Sequence, residues 1–430
     1  MKNKSVFCLF LTLLCPIFMI GQNVSIVGKT NVPNAMVRLL TYDELLTCEQ
    51  TKMAETRSDK DGKFTLQADI KEITPAQIAI NLERVDVILT PNGSYDFEIT
   101  IPEQREGSYF EKEQPYLKIN MINDGGVYSQ YIAVQSYIDD YLNQNFNLIY
   151  RNRKTSLLDT LDNQLAKNIG KIENEYIKEC IKYRKASVLM SVNTKKTISE
   201  YFDNQEVLYL QPDYMDVFQE LFKTDIKDTD FLSRNPQLAE LITLNNIRKA
   251  FFSNVIDKKA ALKALEDVKK SSKYPKNKVV ADNIAKQVND MTYDSEAPGF
   301  SLKDKDDKMV QLSDYQDDMV LLQFVDKYSP LNEHEFATLN DLQKQWNDTI
   351  KVVTIATKES FQEYVQLFEK QGYKWQLLNL NFNILLLEDY HIKTYPAYVI
   401  LKRKNRVGMA PAPSPDHNLD IHVRRISKYL

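Results

Sequence analysis

The stretch Met319–Val325, with the sequence MVLLQFV, decides the fold of the C-terminal part of the chain. Taken as a continuous apolar run, it is typical of a strand that is buried on both faces of a sheet. Further patterns downstream predict a helix at 331–346, a second buried strand at 350–357, a helix that ends at the glycine of 360–372, and a strand within 397–408. This order of strand, helix, strand, helix and strand predicts a mixed α/β layer.

Two segments around this run resemble a known family. The first, Ala297–Phe324, reads APGFSLKDKDDKMVQLSDYQDDMVLLQF and contains two short strand-like pieces around an acidic turn. The second, Tyr390–Gly408, reads YHIKTYPAYVILKRKNRVG. Both resemble the exported thiol-disulfide oxidoreductases of the TlpA and ResA type from Bacteroidetes, which belong to the thioredoxin-like superfamily and are related to AhpC/TSA proteins. The resemblance covers 297–430 and implies a thioredoxin-like α/β domain at 293–430.

The sequence departs from this family at the active site. Active members carry a Trp-Cys-Pro-Pro-Cys motif at the start of the first helix, and the matching residues here are Tyr328, Ser329, Pro330, Leu331 and Asn332. Ser329 and Asn332 therefore occupy the two cysteine positions. Dithiol exchange needs one thiolate to attack and a second thiol to resolve the mixed disulfide. We therefore expect no catalytic residue at this degenerate motif.

Ser329 has two interpretations. A serine followed by a proline is typical of a helix start, with Ser329 as the N-cap and Pro330 at the first helical position. Alternatively, Ser329 could be a nucleophile with His334 or His391 as its base. A nucleophilic serine also needs an acid that orients the base, and the sequence places none. Because only the capping pattern is complete, we favour the cap.

The resemblance also implies a groove for an extended polypeptide. Pro396 matches the proline that follows a cis peptide bond in the family and presents backbone groups to the substrate. The groove would comprise Tyr328, Pro330, Thr394, Tyr395 and Pro396. It could persist in a protein that has lost its redox centre. The alternative is that Pro396 begins an ordinary strand.

Short alternating runs between residues 24 and 102 predict strands: VSIVGK, AMVRLL, GKFTLQADI, AQIAINL, RVDVILT and SYDFEITI. The turn sequences Asp59–Gly62 and Pro91–Gly93 separate such runs. We therefore expect a small antiparallel β-sandwich at 22–110. The stretch TRSDKDGKFTL resembles the carboxypeptidase-regulatory-like β domains that precede exported thioredoxin-like proteins. Asp59 and Asp61 could bind calcium, but the other oxygen ligands of a calcium loop are missing, so a turn is favoured.

Residues 111–292 consist of long amphipathic stretches with few glycines and prolines, and they predict a central all-α domain. Apolar residues at helical spacing predict a buried stripe at Ile172, Tyr176, Ile177, Cys180 and Ile181. A ligand groove lined by tyrosines is the alternative to a packed core, and the core is favoured. The sequence contains no sustained heptad and no 34-residue repeat. An array of helical repeats is therefore an alternative that the sequence does not support directly.

The N-terminal residues predict export. Lys2 and Lys4 precede the apolar run Val6–Ile20, which is followed by Gly21, and this is the order of a secretory signal at 1–21. The destination would be the periplasm or cell envelope. The run is shorter than the roughly 20 residues that span a bilayer, so no transmembrane segment is expected after cleavage. A lipid anchor on Cys15 is disfavoured because a bulky leucine precedes it and a proline follows it.

Composition and the remaining cysteines exclude several function classes. A bridge between Cys48 and Cys180 would require Cα atoms within about 7 Å, and two free thiols are the simpler expectation. The four histidines are not paired with cysteine at zinc spacing, so no metal site is expected. With 11 glycines and no glycine-rich phosphate loop, no nucleotide cofactor is expected. A net charge of −4 argues against nucleic acid as the main partner.

Two functions from different classes follow. The favoured one is a redox-inactive, thioredoxin-like cell-envelope protein that acts as a binding or scaffold module for a polypeptide or envelope partner. The alternative is a thiol-disulfide oxidoreductase of the TlpA or ResA type in envelope redox homeostasis, which would have to act through Cys48 or Cys180. Cys180 lies on an apolar helical stripe, where a thiol is usually inert.

Overall fold

The computed structural model describes residues 23–101, 117–124, 127–221, 229–327, 330–346, 349–381 and 383–428. The chain forms two compact units, one of residues 1–42 with 50–182 and the other of residues 43–49 with 183–430. The predicted signal at 1–21 lies outside the described residues. The boundary predicted at 110 lies outside the described residues, and the one predicted at 292 stays a prediction. The loop Asp43–Glu49 belongs to the second unit, and the helix Glu175–Val192 is divided between the two.

The strands of the first unit form two four-stranded sheets around one core. They are β1 (Val24–Thr30), β2 (Met36–Tyr42), β3 (Gln50–Arg57), β4 (Lys63–Ala68), β5 (Thr74–Ile80), β6 (Glu83–Leu89), β7 (Ser94–Thr100) and β8 (Lys118–Asp124). The sheet orders are β4-β1-β7-β8 and β3-β2-β5-β6. Ile26 and Phe97 of the first sheet and Leu39 and Ile78 of the second are fully buried in the same core. This arrangement is that of a β-sandwich.

The sandwich differs from the predicted antiparallel form in one strand pair. β1 is antiparallel to β4 but parallel to β7, with Ser25 opposite Ser94. Two strands lacked a clear sequence signal. β3 is an edge strand whose side chains are largely exposed and polar, so it shows no apolar alternation. β8 pairs with β7 beyond the predicted end of this domain at residue 110.

The Asp59–Gly62 segment is a turn between β3 and β4. The Asp59 Oδ1 atom accepts hydrogen bonds from the backbone amides of Asp61 and Lys63, both at 2.8 Å. These bonds lower the pKa of Asp59. Gly62 has φ +78°, and a Cβ atom there would collide with the carbonyl oxygen of Thr30. The carboxylate therefore serves the turn, and among the described residues no three His, Cys, Asp or Glu side chains are grouped as metal ligands.

Helices follow the sandwich in the first unit. They are α1 (Tyr128–Gln144), a π-helical turn (Asn147–Arg151), α2 (Ser156–Asn168) and the start of α3 (Glu175–Val192). The amphipathic sequence of residues 160–191 forms two helices and not one, because the chain breaks at Gly170, which has φ +101°. Ile177 and Cys180 of the predicted stripe are fully buried in α3, whereas Ile172 precedes the helix.

The helices of the second unit pack around aromatic side chains. They are α4 (Thr194–Tyr201), α5 (Pro212–Glu220), α6 (Thr229–Arg234), α7 (Pro236–Phe252), α8 (Lys258–Ser271) and α9 (Pro275–Asn289). The rings of Tyr183 and Tyr214 meet edge to face at 4.9 Å, and Phe202 and Phe218 pack beside them. All four are buried in one core cluster. The tyrosine-rich pattern is therefore core, as favoured. No helix in the described ranges is long and apolar enough to cross a bilayer.

The loop Asp43–Glu49 is packed into this helical core although it is distant in sequence. Glu44 is completely buried. Its carboxylate accepts hydrogen bonds from the backbone amides of Leu46 and Thr47 at 2.6 and 3.0 Å, and from the Asn283 side chain of α9 at 2.9 Å. A buried carboxylate is costly unless its oxygens are bonded in this way. The loop is thus an integral part of the second unit.

The C-terminal part of the second unit contains one seven-stranded mixed sheet with the order β10-β9-β13-β12-β11-β14-β15. The strands are β9 (Ser301–Asp304), β10 (Met309–Gln311), β11 (Met319–Val325), β12 (Ile350–Ala356), β13 (Gln376–Asn379), β14 (Ala397–Lys402) and β15 (Arg406–Ala412). The helices are α10 (Pro330–Trp346), α11 (Phe361–Gln371), α12 (Leu385–Asp389) and α13 (Leu419–Ser427). β11 is buried along its whole length, and Gly372 ends α11 with a left-handed φ of +70°. The mixed α/β layer is confirmed.

Candidate functional site

The carboxyl ends of two parallel strands meet at one edge of the C-terminal sheet. β11 ends at Val325 and β12 ends at Ala356, and these residues lie opposite each other. β14 is antiparallel to β11 and places Ala397 opposite Phe324. The residues that follow β11 and those that precede β14 are therefore neighbours. Open α/β sheets bind ligands at this edge.

Hydrogen bonds hold the edge together around Asp326. The Thr357 hydroxyl donates to Asp326 Oδ1 at 2.7 Å, and the same hydroxyl lies 2.7 Å from the Ser360 hydroxyl. The Tyr364 hydroxyl, from α11, donates to the Asp326 carbonyl oxygen at 2.9 Å. The backbone amide of Thr357 donates to the carbonyl oxygen of Val325. These bonds fix the segment that leaves β11 toward α10.

The Thr394–Pro396 loop lies beside this segment. The Tyr395–Pro396 peptide bond is cis, as the family resemblance implies. Thr394 is exposed, and Tyr395 and Pro396 are half-buried. Burial, together with the Asp326 and Glu359 carboxylates, raises the pKa of Tyr395. Within the part of the chain that the structure describes, the backbone amides of Thr394 and Tyr395 form no hydrogen bond. The loop therefore presents two backbone amides at the sheet edge that no described residue pairs with.

The other predicted groove residues are only partly placed. Tyr328 and Ser329 lie outside the described residues. Pro330 is the first residue of α10 and Asn332 is in its first turn. Both interpretations of Ser329, the N-cap and the nucleophile, therefore stay predictions.

Each histidine proposed as a base has an acid beside it, which the sequence did not reveal. His334 Nε2 lies 3.6 Å from Asp416 Oδ1, and His391 Nε2 lies 2.9 Å from Asp290 Oδ2. The hydrogen bond with Asp290 raises the pKa of His391. Both acids are far away in sequence and reach the histidines only through the fold.

A chain of side-chain hydrogen bonds crosses the buried interior of the sheet. Trp375 Nε1 donates to the Thr354 hydroxyl at 2.9 Å, which donates to Gln323 Oε1 at 2.8 Å. Gln323 Nε2 donates to the Tyr398 hydroxyl at 3.2 Å, which donates to Glu335 Oε2 at 3.1 Å. Gln323 and Thr354 are completely buried, and Glu335 is only 9% exposed. This series of hydrogen bonds links β12, β11 and β14 to α10.

The surroundings at the end of this hydrogen-bond chain raise the pKa of both titratable groups, Glu335 and Tyr398. Burial raises the pKa of Glu335, and Asp416 adds to the rise, whereas the hydrogen bond from Tyr398 and the nearby His334 and His417 lower it. Burial and the Glu335 carboxylate raise the pKa of Tyr398. The tyrosine hydroxyl therefore stays a hydrogen-bond donor to Glu335.

The sequence did carry a signal for this buried chain of hydrogen bonds. Gln323 interrupts the apolar run of β11, and Thr354 interrupts that of β12. Buried polar side chains need hydrogen-bond partners, so two polar residues in the middle of neighbouring buried strands predict a bond between them. Treating Met319–Val325 as continuously apolar concealed this signal.

The cysteines lie outside this site. Residues 293–430 contain none. Cys48 and Cys180 are not joined in a disulfide, so the alternative of a bridge is not realised. Burial and the Glu44 carboxylate raise the pKa of Cys48, whose sulfur donates to the Leu45 carbonyl oxygen. Cys180 is completely buried. Reactive thiols have a lowered pKa and an accessible sulfur, and neither cysteine has both.

The family comparison agrees with the fold of this part of the chain. Residues 294–412 match the model of the AhpC/TSA family. The C-terminal part of the chain is a thioredoxin-like AhpC/TSA domain. The match leaves the sandwich and the helices unassigned, and none of the curated proteins matches the chain.

Solved structures resemble about a third of the chain. The thioredoxin domain of a thiol-disulfide oxidoreductase from Bacteroides vulgatus has 17% identity and a TM-score of 0.29, over 31% of this chain and 98% of that one. A thiol:disulfide interchange protein DsbE from Chlorobium tepidum has 17% identity and a TM-score of 0.29, over 32% and 98%. A secreted disulfide oxidoreductase from Mycobacterium tuberculosis has 18% identity and a TM-score of 0.25, over 29% and 95%.

Proposed function

We propose that this chain is an exported cell-envelope protein whose thioredoxin-like domain binds a polypeptide partner without redox chemistry. The observation that carries the proposal is the absence of cysteine from residues 293–430, in a domain that has a seven-stranded sheet. Disulfide exchange requires two thiols, so the domain retains a surface at this edge but not the reaction. The charge and apolar pattern of residues 1–21 support export.

The Thr394–Pro396 loop is the proposed binding element. Its amides at Thr394 and Tyr395 are unpaired among the described residues, and it lies at the edge where β11 and β12 end. An extended polypeptide can pair with such backbone groups by strand addition, and side-chain pockets then give specificity. Tyr328 and Pro330 would complete the groove.

The test is capture of a defined extended polypeptide. Reduced and alkylated insulin B chain, labelled with fluorescein, is titrated with the full chain and followed by fluorescence anisotropy. Pro396→Ala should weaken binding about two- to fivefold, because a loop whose φ is no longer fixed loses roughly 0.4–1 kcal/mol in ordering. Pro91→Ala, in the sandwich turn, is the matched control and should bind normally. Equal binding by the wild type, Pro396→Ala and Pro91→Ala would remove the groove from the proposal.

A second test addresses the alignment of the lost motif. The double variant Ser329→Cys, Asn332→Cys recreates a dithiol at the start of α10. Insulin reduction by this variant, with none by the wild type, would support the alignment and an intact groove. An inactive variant that folds normally would argue against the alignment.

The alternative function, thiol-disulfide exchange, is tested with the protein as it stands. We expect no disulfide reductase activity from the wild type, because Cys180 is buried and the pKa of Cys48 is raised. The Cys48→Ser, Cys180→Ser variant is measured beside it. Activity in the wild type that disappears in this variant would make the protein an oxidoreductase and overturn the proposal.

A further inference from the structure

The buried hydrogen-bond chain has a fixed direction. The indole N–H of Trp375 can only donate, and an ionised Glu335 can only accept. Every donor between them therefore points the same way, from Trp375 through Thr354, Gln323 and Tyr398 to the carboxylate. Glu335 is the one member of the chain that gains or loses charge below neutral pH, since the pKa of Tyr398 is raised.

The last bond of the chain joins the two elements that flank the proposed groove. Glu335 lies in α10, just after the first turn that begins at Pro330. Tyr398 is the second residue of β14 and follows Pro396 by two positions. The bond from Tyr398 to Glu335 thus holds the start of β14, and with it the Thr394–Pro396 loop, against α10.

We propose that ionised Glu335 is a positioning residue for the Thr394–Pro396 loop, so that protonation of its carboxyl group weakens polypeptide capture. The inference rests on the proposed function of this loop. A hydrogen bond to a carboxylate is shorter and roughly twice as strong as one to a neutral acceptor. A neutral carboxyl group therefore holds Tyr398 less firmly, and the loop becomes less well ordered for binding.

Among the described residues, four charged or titratable groups besides Tyr398 interact with Glu335: Asp416, His334, His417 and Tyr364. Burial, together with nearby carboxylates that include Glu335, raises the pKa of Tyr364. Asp416, from the segment between β15 and α13, disfavours its ionisation, and His334 and His417 favour it when protonated. Burial dominates and raises the pKa of Glu335 above its ordinary value. As the pH falls through this raised pKa, the carboxylate is lost at a higher pH than for an exposed glutamate, and capture falls with it.

The first experiment measures the coupling without any peptide. In a Trp346→Phe background, Trp375 is the only tryptophan, and its indole N–H is the far end of the chain. Its emission should titrate with an apparent pKa above that of an exposed glutamate, about 4.3. Glu335→Gln, which has the same shape but no charge, should abolish this transition. A transition that survives in Glu335→Gln overturns the coupling.

The second experiment measures capture of the alkylated insulin B chain between about pH 4 and pH 8, a range that includes the ordinary pKa of a glutamate, about 4.3. Wild-type affinity should fall by about three- to tenfold toward low pH. Glu335→Gln and Tyr398→Phe should bind at the weak level across the range. The His334→Ala, His417→Ala variant should retain the pH dependence, which excludes the histidines as its source. A pH profile in Glu335→Gln that is parallel to the wild type overturns the inference. No capture by the wild type at any pH refutes the proposed function instead.

Discussion

The contact between Gln323 and Thr354 allows a quantitative test of the buried chain. Gln323→Leu leaves the buried Thr354 hydroxyl without an acceptor, and Thr354→Val leaves both Gln323 Oε1 and Trp375 Nε1 without a partner. Each unsatisfied buried group costs about 1–3 kcal/mol. The double variant leaves only the Trp375 group of these three. The destabilisations by the two single variants should therefore add up to more than the destabilisation by the double variant. The difference is the cost of two unsatisfied groups, about 2–6 kcal/mol.

Measured couplings between contacting residues are about 0.5–3 kcal/mol, so we expect about 2–3 kcal/mol, where the two ranges overlap. This coupling energy is measured by urea unfolding of the full chain, followed by tryptophan fluorescence. Both tryptophans of the chain, Trp346 and Trp375, lie in the thioredoxin-like domain, so the signal reports that domain alone. Transition midpoints are compared, because Thr354→Val also changes the emission of Trp375.

The control pairs Gln323→Leu with Thr338→Val, whose hydroxyl is exposed and bonds elsewhere. The destabilisations by these two substitutions should be additive. If the costs of Gln323→Leu and Thr354→Val also add within about 0.5 kcal/mol, the hydrogen bond between them contributes nothing and the reasoning is refuted.

Three further outcomes are expected. Gly62→Ala should lower the free energy of unfolding of the first unit by more than about 1 kcal/mol, measured by circular dichroism, because φ +78° and the Thr30 carbonyl oxygen leave no room for a Cβ atom; an unchanged midpoint would contradict this. The pKa of His391 is raised by Asp290, so their pair stabilises below the unfolded pKa of about 6.5 and is lost as the pH rises through the folded pKa. His391→Ala should therefore cost up to about 1 kcal/mol at about pH 5.5 and nothing at about pH 8.5, and a constant cost would exclude the pair. Cys48, with its raised pKa, should react with iodoacetamide more slowly at about pH 8 than the thiol of N-acetylcysteinamide does, whereas faster reaction would indicate an activated thiol.

Local patterns predicted the thioredoxin-like domain well. The run at 319–325 and the left-handed glycine at Gly372 each depend on neighbouring residues only, and both elements were found in place. Features that depend on distant residues were missed. β3 is recognisable only as the partner of β2, and the network at Gln323 only through its neighbours in other strands. The helix break at Gly170 could be predicted only in part. A single glycine inside an amphipathic stretch weakens a helix, but it does not by itself show that the helix ends there.

The packing of Glu44 against Asn283 has a consequence for synthesis of the chain. The two residues are 239 positions apart. Ribosomes extend a chain at roughly 5–20 residues per second, so the carboxylate waits about 10 to 50 s for its amide partner to be made. Wherever the chain folds, β2 and β3 on both sides of the loop can pair before α9 is available, because β3 ends at Arg57 and α9 begins only at Pro275. The loop must therefore remain available to solvent and to chaperones until α9 emerges, and an N-terminal fragment that stops before Asn283 would leave this charge without one of its partners.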